Sequence, residues 1–213
     1  MLNGQYVSDC SFLGKRNYIH AHRLLEFAIT SLKEYYNIKD NIQISYFNVH
    51  HEAIFNVFLA KEKRANLSAV AELKCLLDGT WNILYLYHGD KKIHKRVEDE
   101  TMPVEIVNCD GGFSGVGTIE HVCSFWDALA SIVEINKQLH FISLEKPMRD
   151  PEIRAVYFKK FMTYEVVKNN SLSVDFKCVG NRSFQDIDYS MSNVSWCVGD
   201  VEYSMEICFS YKK

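Results

Sequence analysis

One long, apolar-rich helical segment followed by a run of alternating strands is written twice into this chain, and that repetition limits the architectures open to it. Residues 18–36 predict the first helix. Ile19, Leu24, Phe27, Ala28, Leu32 and Tyr35 recur at helical spacing, with Gly14 and Asn17 ahead of them as loop and N-cap. The period then falls to two. Residues 42–49 and 53–60 supply two candidate strands. Leu67, Ala69, Ala71, Leu73, Cys75 and Leu77 alternate up to an Asp78-Gly79 turn, and Trp81, Ile83, Tyr85 and Tyr87 alternate beyond it.

The pattern restarts after residue 101. The segment from Cys109 to Gly117 is rich in small residues and predicts a loop, and residues 119–138 predict the second long helix. Strands are expected over 155–166, 172–179, 184–198 and 201–211, with tight turns at Gly180-Asn181 and Gly199-Asp200. In the last strand Val201, Tyr203, Met205, Ile207, Phe209 and Tyr211 take one face, and Glu202, Ser204, Glu206, Cys208 and Ser210 the other. A shift of 100 positions lays Ile19 on Ile119, Ala28 on Ala128, Ser31 on Ser131 and Glu34 on Glu134. These identities and the shared order of elements point to an internal duplication.

The 213 residues accommodate two units of about 100 each, 1–100 and 101–213. The charge-rich stretch 91–101 is read as a solvated junction. An antiparallel sheet wraps a single apolar helix and buries most of its sides. Two such sheets joined edge to edge hide their exposed edges. The expected fold class is therefore α+β: a tandem double hot-dog, two long central helices wrapped by antiparallel strands of one continuous curved sheet.

Composition narrows the function. The net charge of −3 gives no polyelectrolyte attraction to nucleic acid or anionic lipid. No run of about 18 apolar residues predicts a membrane helix, and the first residues do not resemble a signal peptide. The seven cysteines are odd in number and form no CxxC pair, so reduced thiols in a cytoplasmic protein are expected. No metal site is expected. His50 and His51 are adjacent and would point to opposite faces of a strand.

Residues 14–28, Gly-Lys-Arg-Asn-Tyr-Ile-His-Ala-His-Arg-Leu-Leu-Glu-Phe-Ala, resemble the start of the central helix in hot-dog thioesterases. His121-Val122-Cys123-Ser124-Phe125-Trp126-Asp127-Ala128-Leu129 is similar to the central helix of hot-dog dehydratases and thioesterases, where an acidic residue faces the substrate channel. The segment from Asp110 to Phe176 also resembles double hot-dog proteins of polyketide biosynthesis, including the acyltransferase/decarboxylase of leinamycin assembly. The resemblance implies an acyl group carried as a thioester of coenzyme A or of an acyl carrier protein, with no cofactor beyond that carrier. It implies a monomeric pseudo-dimer or a homodimer. The chain departs from the thioesterase pattern at Ala21 and His22, where glycines are expected, and at Ile29, where a carboxylate is expected. It also lacks the dehydratase Gly-His-Phe-Pro-Gly loop.

Thioester chemistry needs a donor at the carbonyl and a group that moves a proton. His20 and Asp127, each near a helix start, are the leading catalytic candidates, with His22 and Glu26 behind them. Asn17 and Tyr18 are candidate oxyanion donors. Gly115 and Gly117 are candidate loop positions for close approach of a pantetheine arm. Hydrolysis leads, dehydration follows, and acyl transfer with decarboxylation comes third. The alternative is a binding scaffold with no working acid–base pair.

Overall fold

A computed structural model of the chain describes residues 6–7, 12–13, 19–38, 42–47, 55–97, 104–109, 114–122, 124–143, 154–161, 170–198 and 200–212. The chain divides into two compact units, Met1–Glu100 and Thr101–Lys213.

In the first unit β1 (Tyr6–Val7) and β2 (Phe12–Leu13) precede α1 (Ala21–Lys33), and β3 (Ile42–Tyr46), β4 (Phe55–Ala60), β5 (Ala69–Leu77), β6 (Thr80–Lys92) and β7 (Arg96–Val97) follow. Five of these strands pair antiparallel in the order β1-β4-β6-β5-β3, while β2 and β7 form a separate parallel pair. The helix is shorter than 18–36, and its apolar stripe is sharp: Leu25, Ala28, Ile29 and Leu32 are fully buried. Tyr35 lies past its end and is mostly exposed. Asp78 (φ 49°) and Gly79 (φ 80°) make the β5–β6 hairpin, closing the Leu77–Thr80 pair. Positive φ at both central residues is the two-residue turn whose twist suits antiparallel strands.

The alternating set expected in β6 does not share one environment: Tyr87 is buried, but Trp81 and Ile83 are not. Leu84 and Leu86 enter the core, while Trp81 and Ile83 stay exposed. Leu84 pairs with Leu73, whose face is fixed by the β5 alternation, and a period of two then turns Trp81 and Ile83 outward. The stretch 91–101 is not wholly a junction: Lys91 and Lys92 end β6, and Arg96–Val97 is β7.

In the second unit β8 (Val104–Cys109) and β9 (Ser114–Val122) precede α2 (Phe125–Ser143), and β10 (Arg154–Phe161), β11 (Asn170–Phe184), β12 (Ile187–Val198) and β13 (Val201–Lys212) follow. The order is β10-β13-β12-β11-β9-β8, antiparallel throughout. Three expectations are corrected here. Residues 119–122 belong to β9, and α2 starts at Phe125, because Ser124 caps it there. The small-residue segment is largely strand, with β8 running to Cys109 and β9 starting at Ser114. Gly180-Asn181 is no turn. β11 passes through it with a register shift between Cys178 and Gly180, and the chain reverses at Gln185-Asp186.

The shift of 100 fails with the second helix. It lays Ile19, just ahead of α1, on Ile119 in β9, so that identity does not mark equivalent positions, whereas Ala28 and Ala128 both lie buried in helices. β13 keeps its expected apolar face, with Met205, Ile207, Phe209 and Tyr211 buried. Cys208 and Ser210 on its other face are buried too. Of the strand expected over 155–166, residues 162–166 lie outside the described residues. Among the described residues no helix is long and apolar enough to cross a membrane.

Candidate functional site

The start of α1 carries the first group of candidates. His20 is its N-cap, in extended conformation, and its carbonyl accepts hydrogen bonds from the N–H groups of Arg23 (3.0 Å) and Leu24 (3.1 Å). The His20 side chain makes no capping bond, and no acidic residue stands in the first turn. The positive end of α1 therefore lacks an anion of its own making. His22 is buried, and its ring lies edge-on to that of His20 at 5.3 Å between centroids. Tyr46 on β3 donates to the Ala21 carbonyl at 2.6 Å, tying the first turn to the sheet, and burial raises its phenol well above the ordinary value. Glu26 accepts from Arg23 at 2.6 Å on a partly exposed flank. Asn17 and Tyr18 lie outside the described residues.

The start of α2 is built differently. Ser124 Oγ accepts from the Asp127 N–H (3.2 Å) and donates to Asp127 Oδ2 (2.6 Å). Serine at the cap and a carboxylate three residues on satisfy the first turn locally. Asp127 is only partly buried, and among the described residues its Oδ1 has no hydrogen-bond partner. Phe125 and Trp126 stack edge to face beside it, 5.0 Å between centroids.

Gly115 and Gly117 lie in β9 rather than in a loop. A Cβ on Gly117 would meet Ile135 of α2 at 2.7 Å, so this glycine lets the helix lie directly on the strand. The two glycines are thus placed in the sheet, and Gly117 faces the core. His121 is also a β9 residue, and His50, His51 and Glu52 lie outside the described residues.

A second polar constellation went unread in the sequence. His140, in the last turn of α2, is buried and lies between two serines of β12. Ser190 Oγ is 3.0 Å from Nδ1, and Ser192 Oγ is 3.2 Å from Nε2. Phe209 closes on the imidazole edge to face at 5.6 Å. Cys178 Sγ stands 3.7 Å from Ser190 Oγ. Burial lowers the His140 pKa to about 4, so the ring is neutral at neutral pH. Asn136, one helical turn earlier on the same face, is 1% exposed, and among the described residues its amide nitrogen has no hydrogen-bond partner. The available signal was polar residues at core positions: Ser190 and Ser192 continue the alternation that Val194 and Trp196 complete with buried side chains.

On the opposite face of the same sheet a groove of about 370 Å³ is lined in part by Lys160, Lys177, Asn193, Ser195, Ser204 and Glu206. Lys160 pairs with Glu206 there at 2.5 Å. Among the described residues no group of three or more His, Cys, Asp or Glu side chains could hold a metal ion.

No protein-family model and no curated protein sequence matches the chain. Solved structures do. A hot-dog fold protein of unknown function from Alicyclobacillus acidocaldarius aligns with a TM-score of 0.56 at 12% identity, covering 99% of this chain and 92% of that one. A tesB protein of Mycobacterium avium subsp. paratuberculosis aligns at 0.59 and 7% identity, covering 100% and 95%. An acyl-CoA thioesterase II from Mycobacterium marinum aligns at 0.52 and 8%, covering 92% and 90%. The chain has the hot-dog fold.

Proposed function

We propose that the chain is a tandem double hot-dog enzyme acting on an acyl group held as a thioester of coenzyme A or an acyl carrier protein, with hydrolysis as the leading reaction. The observation that carries this reading is the start of α1. No acidic residue stands in its first turn, the His20 side chain makes no capping bond, and the rings of His20 and His22 meet there. Such an end polarises a thioester carbonyl and stabilises the oxyanion that forms on attack. A histidine there takes the proton from water and returns it to the leaving thiolate. The sharing of the fold with an acyl-CoA thioesterase II supports the substrate class.

His20 is assigned proton transfer at the start of α1, and Asp127 is proposed separately as an acid–base group at the start of α2. The α2 cap uses only Oδ2 of Asp127, which leaves Oδ1 available. Asp127→Asn keeps an oxygen for Ser124 and removes the charge. Turnover of an acyl-CoA panel, read by mass spectrometry of released acid and thiol, is expected to fall at least about tenfold while the melting temperature stays put. Wild-type turnover from the variant would remove Asp127 from the chemistry and leave it a capping residue. Dehydration of a 3-hydroxyacyl thioester and acyl transfer with decarboxylation are read from the same panel by product mass.

One observation favours a second reading, a binding scaffold without catalysis. Ile29, where the resemblance expects a carboxylate, is fully buried in the core of the first unit. Binding of a thioester with no product formed would select that reading.

A further inference from the structure

The side of an antiparallel sheet that meets water is normally polar, and around its groove the second unit follows that rule. Asp175, Lys177, Asn193, Ser195, Ser204 and Glu206 stand there. The first unit departs from it. Alternation on β5 sends Ala71, Leu73, Cys75 and Leu77 into the core and leaves Val70, Glu72, Lys74 and Leu76 outside. Leu76 pairs with Trp81, Lys74 with Ile83 and Glu72 with Tyr85, so Trp81, Ile83 and Tyr85 line the outer side of β6. Trp81 is 60% exposed and Ile83 46%. Bulky apolar side chains held side by side in water, with a polar rim, mark a contact surface.

The charges beside this strip say what it contacts. Glu72 and Lys74 pair at 3.1 Å on β5. One acid and one base give the patch no net charge, so it favours neither a polyanion nor a polycation. Placed in adjacent rows, they make the patch complementary to itself. Let a two-fold axis lie in the contact plane, across the strands, midway between the Lys74–Ile83 row and the Glu72–Tyr85 row. Then β5 faces β5 of a second copy running the other way, and β6 faces β6. Lys74 comes over Glu72 of the second copy, and Ile83 over its Tyr85. Each contact occurs twice, as in every isologous interface. An axis through the Lys74 row would instead set ammonium on ammonium, so the charges select the register. Twisted sheets pack face to face with strands within about 30° of each other, which keeps the two central rows in contact.

We propose that the outer face of β5 and β6 is an interface with a second copy of this chain, packed sheet on sheet about this axis. Trp81 and Ile83 are its apolar anchors, and Glu72 and Lys74 set its register. The interface is independent of the thioester chemistry proposed above.

Sedimentation equilibrium of the full chain over a concentration series tests it. Wild type is expected to associate reversibly to a dimer. Ile83→Lys is expected to stay monomeric with the circular dichroism of wild type, because its side chain already stands outside the core. Trp81→Ser is expected to weaken the dimer as well, without placing a charge on the strand. Lys74→Glu and Glu72→Lys shift the net charge in opposite directions, and each is expected to weaken the dimer by roughly tenfold or more. Combining Lys74→Glu with Glu72→Lys restores both contacts across the axis and is expected to return the dissociation constant to near that of wild type. A wild-type chain that is monomeric at every concentration overturns the proposal. So does a dimer that Ile83→Lys and Trp81→Ser leave intact, since its contact then lies elsewhere. Failure of the double charge reversal to rescue the single ones overturns the two-fold register.

Discussion

Acidification from about pH 7.5 to about pH 5 is expected to remove roughly 2 kcal/mol of unfolding free energy through His140 alone. An unfolded imidazole titrates at its ordinary value of 6.5, whereas burial holds that of the folded chain at about 4. Above the unfolded value both states are neutral, and pH does not bear on stability through this group. Between 6.5 and 4 the unfolded chain binds a proton that the folded chain excludes, so stability falls as pH falls. Below about 4 both states are charged and the loss is complete, near 3 kcal/mol.

The folded environment explains the exclusion. The ring is buried, Ser190 and Ser192 offer it neutral dipoles, and Phe209 offers a ring edge. Urea unfolding at the two pH values measures the effect, and His140→Gln isolates it. Glutamine still donates and accepts towards both serines but does not titrate, so its loss between the two pH values should be smaller by about 2 kcal/mol. Equal losses in wild type and variant would mean that His140 accepts its proton in the folded state at the ordinary pH.

The units of architecture were readable because they rest on periodicity. The buried stripe of α1, the alternation of β5 and the Asp78-Gly79 hairpin each follow from spacing that one short window contains. The misreadings share a different cause. Gly115 and Gly117 lack the side chains from which a strand period is read, so β9 looked like a loop. The reason for Gly117 lies 18 positions away, in Ile135. Trp81 and Ile83 alternate as well as Leu84 and Leu86 do, and only pairing with β5 decides which set faces inward. The His140 constellation joins residues 50 and 52 positions apart, and no local pattern joins them. The candidate site was legible to the extent that helix starts are: His20 and Asp127 were found as residues near N-termini. That Ser124 caps α2 while the His20 side chain makes no capping bond to α1 depends on side-chain rotamers.

Gly117→Ala is expected to destabilise the chain by about 1–3 kcal/mol, a large effect for one methyl group. Its Cβ would stand 2.7 Å from Ile135 Cδ1 and 2.9 Å from Ile135 Cγ2. The two atoms belong to separate arms of a branched side chain, so one rotation cannot retract both, and Ile135 is fully buried with no space to enter. Either the helix lifts from β9 or Ile135 leaves its rotamer. Ile135→Ala is also expected to cost about 2–5 kcal/mol by emptying volume in the core. Together the two changes exchange a methyl for part of the space the isoleucine vacates. The double variant should therefore be more stable than the sum of the single losses by about 1 kcal/mol or more. Denaturant melts of the four proteins measure that coupling. Additive losses, or a Gly117→Ala protein as stable as wild type, would show that α2 does not bear on β9 at this point. In that case the glycine would recover the role the sequence suggested, a place where backbone is left bare for a ligand.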